Sequence, residues 1–347
     1  MDQQQWQHFL TAEGAIWEDN RAHFPPVESA TDDDLQLIDL SPLGAVSAAG
    51  PDSQKFLQGQ LTCDLVTLPD GSATPGAHCN PKGRAISAFS ALKLSTEQIF
   101  LRLPRDLVPI ARDALAKYAV FFKSELEDIG DRYRWLGLQG KAATERAAEL
   151  LELDGLTTGQ VQQFDCNGEA AFAETLSEQQ LALLVPAQSA ADLWQRLAQQ
   201  ATPAGYDHWQ QRQIEAGIPQ LHGAASELFI PQMLNLHLLG GVSFKKGCYT
   251  GQEVVARMQY RGAAKRRLYR ARCASGELPE TGSDIAGENG KSIGNLVNAC
   301  RSEHGIELLA VLTITKVAAG ETLTLADGRK LELQELPYDV EADPLAD

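Results

Sequence analysis

Twice along the first two hundred residues, strand-patterned stretches give way to amphipathic helical ones, and this alternation limits the chain to a mixed α+β architecture. In the first pass, Leu35 to Val46, Ala85 to Leu94 and Gln98 to Leu103 read as strands, with helices predicted over Asp52 to Leu61 and Leu107 to Tyr118. In the second, Tyr133 to Gly137 and Leu181 to Val185 read as strands, with helices over Ala142 to Leu151 and Ala190 to Ala198. A further helix from Trp209 to Ala216 is stopped by Gly217-Ile218-Pro219. The alternation carries no glycine fingerprint, which argues against a dinucleotide-binding domain. The expected body spans residues 32 to 260 as two lobes, 32–130 and 131–260, that can interleave in space. After Gly262 the texture changes to short alternating segments separated by turn residues, which predicts a small antiparallel β-barrel over 261–336. Residues 1–31 read as an extension of one or two short helices, and 337–347 as a frayed acidic tail. Gly287 to Ser292 looks faintly like a phosphate loop, but its spacing is too short, and Asn289-Gly290 is better read as a hairpin turn.

The 347 residues carry 46 acidic against 30 basic side chains, a net charge of −16. Tight nonspecific binding to nucleic acid is disfavoured, because it is driven largely by phosphate neutralisation. Met1 to Trp6 contains neither a basic leader nor an apolar run, and no later segment approaches a membrane span, so a cytoplasmic protein is expected. The six cysteines are widely scattered, with no C-x-x-C pair and no His/Cys cluster. Neither a disulfide framework nor a local metal site is expected.

One cysteine stands apart. In Lys245-Lys246-Gly247-Cys248-Tyr249-Thr250-Gly251-Gln252-Glu253, the spacing of Thr250 and Glu253 predicts a capping box, with Thr250 as the N-cap of a helix running through Met258. Cys248 then precedes the positive end of a helix dipole, with two lysines just upstream, a setting that favours thiolate. Gly247 and Gly251 leave the backbone open around the sulfur. The competing reading is a small buried hydrophobe.

That motif, with Phe229-Ile230-Pro231-Gln232 and Gly240-Gly241-Val242-Ser243-Phe244 before it, closely resembles the bacterial YgfZ family of folate-binding proteins. In order upstream, Phe56 to Thr62, His78 to Arg84, Lys117 to Phe121 and Ile214 to Pro219 also fit, as does the basic Arg261 to Arg266. The resemblance implies a relative of the aminomethyltransferase T-protein: two α+β lobes in a ring-like body with a C-terminal barrel. It implies a protein that binds tetrahydrofolate, supports maturation or repair of iron-sulfur enzymes, and thereby affects tRNA methylthiolation. Its partners would be folate and iron-sulfur enzymes or assembly proteins, with no membrane and no tight direct nucleic-acid contact.

Carried over by position, Cys248 is the redox-sensitive thiol, and Lys246, Gly247, Tyr249, Gly251, Gln252 and Glu253 hold its loop. Trp209 matches a family tryptophan associated with the folate site, where an indole can stack on a flat ring; its alternative is a core aromatic. Leu43 stands where a second folate-associated tryptophan can occur, which implies weaker or rearranged stacking. Arg257, Arg261, Lys265, Arg266 and Arg267 form a basic run suited to a folate glutamate tail, an acidic partner or plain solvation. His78 lacks an identifiable orienting partner, Cys79 carries mainly structural weight, and Glu215 either lines the central cavity or is an exposed helix carboxylate. Two other functions compete: an aminomethyltransferase moving a one-carbon unit to tetrahydrofolate, against which the Lys-Gly-Cys motif argues, and a protein-interaction scaffold without folate.

Overall fold

The computed structural model describes residues 1–25, 34–261 and 264–341, with the side chains of residues 260 and 261 excluded. A five-stranded antiparallel sheet forms the first lobe, in the order Ser72–Cys79, Ala85–Lys93, Gln98–Pro104, Leu43–Ala49, Glu125–Asp128. Helix Val108–Ala119 buries Val108, Ala111 and Leu115 against it, an i, i+3, i+7 stripe. The short helix Ser53–Gln58 contributes Phe56 and Leu57 to the same core.

The second lobe is a six-stranded sheet in the order Val161–Cys166, Glu169–Ser177, Gln180–Pro186, Tyr133–Gln139, Gln36–Asp39, Thr202–Ala204. Its fifth strand comes from the first half of the chain: Gln36 lies opposite Gln139 in antiparallel register and Thr202 in parallel register. Val161–Cys166 and Glu169–Ser177 are joined at Asn167-Gly168, both with positive φ (57° and 83°), the two-residue turn that such a pair favours. Helix Gln3–Ala12 opens the chain with a capping box between Asp2 and Gln5, and Trp6 and Leu10 fill the second-lobe core. The Trp6 indole N–H donates to the buried Asp39 carboxylate at 2.9 Å. In place of a second helix, Ile16–Glu18 and Arg21–His23 form a hairpin.

C-terminal to these, five antiparallel strands follow the order Asp284–Ala286, Ser292–Ser302, Gly305–Thr313, Arg266–Cys273, Glu332–Gln334. Among the described residues this is a sheet with no continuous closing ladder; its edges approach through isolated bridges of Thr324 with Ala286 and Lys330. The Gly287-to-Gly290 segment is a hairpin turn, Gly290 N–H donating to the Gly287 carbonyl at 2.9 Å. Helix Tyr206–Glu215 packs on this sheet, where buried Glu307 takes Arg272 at 2.6 Å and Arg270 at 3.2 Å. The tail does not fray at once. The Tyr338 hydroxyl donates to the Gly217 carbonyl at 3.0 Å, while 342–347 lie outside the described residues.

Candidate functional site

A cavity of about 360 Å³ lies where both sheets meet the Gln213-to-Leu239 segment, within the size range of small-ligand sites. Its walls include Leu43, Phe89, Leu103, Leu236 and Leu239. Its polar group is an ion pair across the lobes: Arg102 of the first sheet reaches Glu174 of the second through Nε at 2.5 Å and Nη2 at 3.0 Å. Both are buried, and the Ser90 hydroxyl adds a hydrogen bond to Glu174 at 2.6 Å. Two-point guanidinium–carboxylate geometry fixes both side chains at the cavity wall. Next to Glu174, the Thr175 hydroxyl is buried and has no hydrogen-bond partner among the described residues. Thr74, Thr158, Gln213 and Gln220 add to the polar lining, and Gln213 is oriented by donating to Gln180 at 2.6 Å.

Trp209 does not line this cavity. It is fully buried against Leu40 and Gly137, and a Cβ added at Gly137 would stand 2.9 Å from its ring. Four residues on, the same helix presents Gln213, so Trp209 seats the helix while Gln213 meets the cavity. Leu43 lines both this cavity and a second, more polar one of about 550 Å³ whose walls include Pro42 and Arg105. Glu215 faces Arg270 at 3.7 Å and Gln211 at 3.0 Å rather than the cavity. Arg261 ends a helix, but its side chain falls outside the described residues.

The thiol loop lies against the first lobe. The helix runs from Gln252 to Arg261, so the residue that precedes it is Gly251 and not the expected N-cap Thr250. The Thr250 hydroxyl donates instead to Gln60 Oε1 at 3.3 Å, while Gln252 Oε1 accepts from the Tyr249 N–H at 3.4 Å. Among the described residues Thr250 Oγ1 accepts no hydrogen bond from the Glu253 N–H, so the expected capping box is not formed. Gly251, at φ +82°, sits between them, and a Cβ there would lie 2.5 Å from the Asn80 carbonyl oxygen and 3.1 Å from Cys79 Cβ. Only glycine allows this turn and this approach together. The motif at 245–253 is thus locked onto the His78-to-Arg84 hairpin, two segments that sequence order separates by more than 160 residues.

Lys246 also departs from expectation. Its ammonium is buried and donates to the carbonyls of Gln58, Leu61 and Cys63 at 2.8, 2.7 and 2.7 Å, with the Tyr249 ring 5.3 Å away. Burial brings its pKa down to about 8. All three donor protons have partners, so this cation braces the loop instead of facing the sulfur. Cys248 itself is exposed, and the other five cysteines are buried. Burial pushes Cys63 up to about 11 and Cys79 up to about 12, which keeps both protonated at neutral pH. The buried Tyr249 hydroxyl is likewise raised, by desolvation and then by Cys79 and Cys63. His78 is buried with neither ring nitrogen partnered among the described residues; desolvation, assisted by Lys117, lowers it to about 4. It is a neutral core side chain with no reacting group in hydrogen-bond reach.

Arg102, Glu174 and Thr175 escaped the sequence reading, although each charge interrupts an apolar stretch, Ile99 to Leu103 and Ala170 to Leu176. A lone charge in a strand buried on both faces signals a buried partner elsewhere.

The GCVT N-terminal domain family matches residues 27–246. The chain is 34% identical over 309 residues to the tRNA-modifying protein YgfZ of Pectobacterium atrosepticum, covering 88% of this chain and 92% of that one. It is 33% identical over 324 residues to the Yersinia enterocolitica protein of the same name, covering 92% and 97%. The fold is similar to that of glycine cleavage system aminomethyltransferase T from Bartonella henselae, with a TM-score of 0.69 at 18% identity over 90% of this chain and 89% of that one.

Proposed function

The chain belongs to the YgfZ family within the GCVT-domain proteins, and from this membership we propose that it is a tetrahydrofolate-binding accessory protein that uses the Cys248 thiol to maintain iron-sulfur enzymes and, through them, tRNA modification. The observation that carries the folate reading is the inter-lobe cavity. A flat heterocycle fits between apolar walls, and an aminopyrimidinone offers adjacent N–H donors that suit a carboxylate already held in place. Glu174, fixed by Arg102 and Ser90, would accept those donors, and the unpartnered Thr175 hydroxyl would satisfy a ring heteroatom. Gln213 and Gln220 would orient the remaining polar edge. When bound, a reduced folate supplies one-carbon or reducing chemistry at its ring nitrogens.

The thiol lies on a separate part of the structure. Cys248 lines neither cavity, and the segment that carries it begins at the cavity wall with Leu236 and Leu239 before crossing the first lobe. Cys248 follows the cavity-wall residue Leu239 by nine positions in the chain. This supports a factor that couples ligand binding to presentation of a thiol, rather than a transferase acting within one pocket.

Calorimetric titration with tetrahydrofolate, paired with complementation of a deletion strain scored by methylthiolated tRNA, tests the reading. Wild-type protein should bind and complement, and Cys248→Ala should bind but fail to complement. Absence of binding removes the folate role; full rescue by Cys248→Ala removes the thiol. Aminomethyl transfer from a carrier protein, assayed directly, would return the function to the transferase class.

A further inference from the structure

A row of glutamines crosses the second-lobe sheet and ends at the inter-lobe cavity. Gln139 stands directly opposite Gln180 on one neighbouring strand and Gln36 on the other, and Gln213 joins the row from helix Tyr206–Glu215. All four side chains are more than nine-tenths buried. Each amide nitrogen donates to the next amide oxygen: Gln213 to Gln180 at 2.6 Å, Gln180 to Gln139 at 2.7 Å, and Gln139 to Gln36 at 3.2 Å. Buried amides are tolerated when they are bonded in this way, and a connected row holds each member in one orientation.

The direction of the row is fixed by the backbone. A primary amide can turn over and exchange its donor and acceptor ends unless a neighbour can only accept. Two neighbours here are of that kind: the His208 carbonyl takes Gln139 Nε2 at 3.2 Å, and the Trp209 carbonyl takes Gln180 Nε2 at 3.4 Å. With both nitrogens held against helix carbonyls, Gln180 Oε1 is left to accept, and Gln213 must turn its nitrogen towards it. Gln213 Oε1 is then the free end of the row. It accepts from no group among the described residues, and it is not sealed in the interior as the Gln210 side-chain oxygen is. Since Gln213 is a wall residue of the cavity, that space meets a fixed acceptor there. Gln220 differs. Its side-chain amide is met only by the Tyr206 hydroxyl, at 3.2 Å, a group that can donate or accept, so this amide can turn to suit a ligand.

Resting on the folate reading above, we propose that Gln213 makes the cavity select a reduced folate, its Oε1 accepting a ring N–H that a tetrahydropterin carries and a fully oxidised pterin lacks. With the aminopyrimidinone edge on Glu174, the second ring is left for Gln213. In the tetrahydro form both nitrogens of that ring, N5 and N8, bear hydrogen. In folic acid both are acceptors only, and an acceptor set against a buried acceptor that cannot turn leaves the two unpaired. Gln180 and Gln139 are positioning residues: neither lines the cavity, and they act through the orientation of Gln213.

Calorimetric titration of the full chain under anaerobic conditions tests this, with tetrahydrofolate, folic acid, and the 5-deaza and 8-deaza analogues of tetrahydrofolate, which keep the puckered ring but each replace one N–H by carbon. Wild-type protein should bind tetrahydrofolate at least about tenfold more tightly than folic acid and than one of the two deaza analogues. Gln213→Met removes the acceptor, and Gln180→Met leaves Gln213 in place with its amide free to turn. Each variant should bring tetrahydrofolate and folic acid within about threefold of each other, whereas loss of a purely structural residue would weaken both ligands alike. Thermal melts establish that the variants are folded. Equal wild-type affinities, full affinity for both deaza analogues, or a preference that survives in a folded variant overturns the proposal and leaves folate as the ligand. Wild-type protein that binds none of the four compounds removes the folate reading, and the proposal with it.

Discussion

The Lys246 ammonium donates to the Cys63 carbonyl oxygen at 2.7 Å, tying the thiol loop to a segment more than 180 residues earlier. Gln58 and Leu61 receive the other two protons. Lys246→Met should therefore destabilise the fold by about 3 kcal/mol, roughly 1 kcal/mol for each buried carbonyl left without a donor. Urea unfolding measures this. If Lys246 acted mainly by activating the thiol, stability would hold and only the alkylation rate of Cys248 would fall.

The two glycines of the motif should separate. Gly251→Ala places a Cβ 2.5 Å from a backbone oxygen at positive φ, and a loss of about 2 kcal/mol or more is expected. Gly247 has nothing within 4 Å of an added Cβ, so Gly247→Ala should stay within about 0.5 kcal/mol of wild type. Thermal melts of the pair would show it; equal effects would mean that the contact at Asn80 is not limiting.

Acid should weaken the protein through its buried histidines. Burial lowers His78 and His237 from 6.5 to about 4, so between those values the unfolded chain binds more protons than the folded one. Their contribution is complete above about pH 6.5 and is lost as pH falls towards 4. Asp39 acts oppositely: burial raises it from 3.8 to about 6, so it holds a proton in the folded state over most of that window. Two protons against one leaves a net loss of stability on acidification. His78→Phe should flatten the pH dependence of urea unfolding between 4 and 6 to nearly nothing, whereas an unchanged slope would mean that His78 is protonated in the native state.

Removing one partner of the cross-lobe ion pair should cost more than removing both. Arg102→Met strands the Glu174 carboxylate in a buried site, at about 3–5 kcal/mol, while Arg102→Met with Glu174→Leu should recover much of that loss. Tetrahydrofolate titration should detect no binding by either variant, since the carboxylate that would hold the ring is unpaired in one and absent in the other.

Much of this architecture was legible because periodicity and burial agree. Helix Val108–Ala119 and strand Gln180–Pro186 fall where apolar spacing places them. Asn167-Gly168 went unread although it carries the same hairpin signal as Asn289-Gly290, because the flanking strands mix polar residues with apolar ones at the lobe surface. At the site, the Lys-Gly-Cys motif was visible as sequence, but its mechanics were not. The capping box fails because the helix begins at Gln252, one residue later than the spacing predicts, and Thr250 turns to Gln60, distant in sequence. Lys246 reads as a cation near sulfur until three carbonyls from another segment enclose it. Trp209 could not be told from a ligand platform, because an aromatic on an amphipathic helix faces inward either way, and only the tertiary contact with Gly137 shows how little space remains.

The strand Gln36–Asp39, paired with Tyr133–Gln139 and Thr202–Ala204, bears on how the chain is made. During synthesis it leaves the ribosome with neither neighbour in existence, and at about 5–20 residues per second the second arrives on the order of ten seconds later. Until then a strand with both edges unpaired is open to chaperones and to other nascent chains. A cut between residues 130 and 131 would consequently not yield two folding units, since the second would lack a strand from within its sheet.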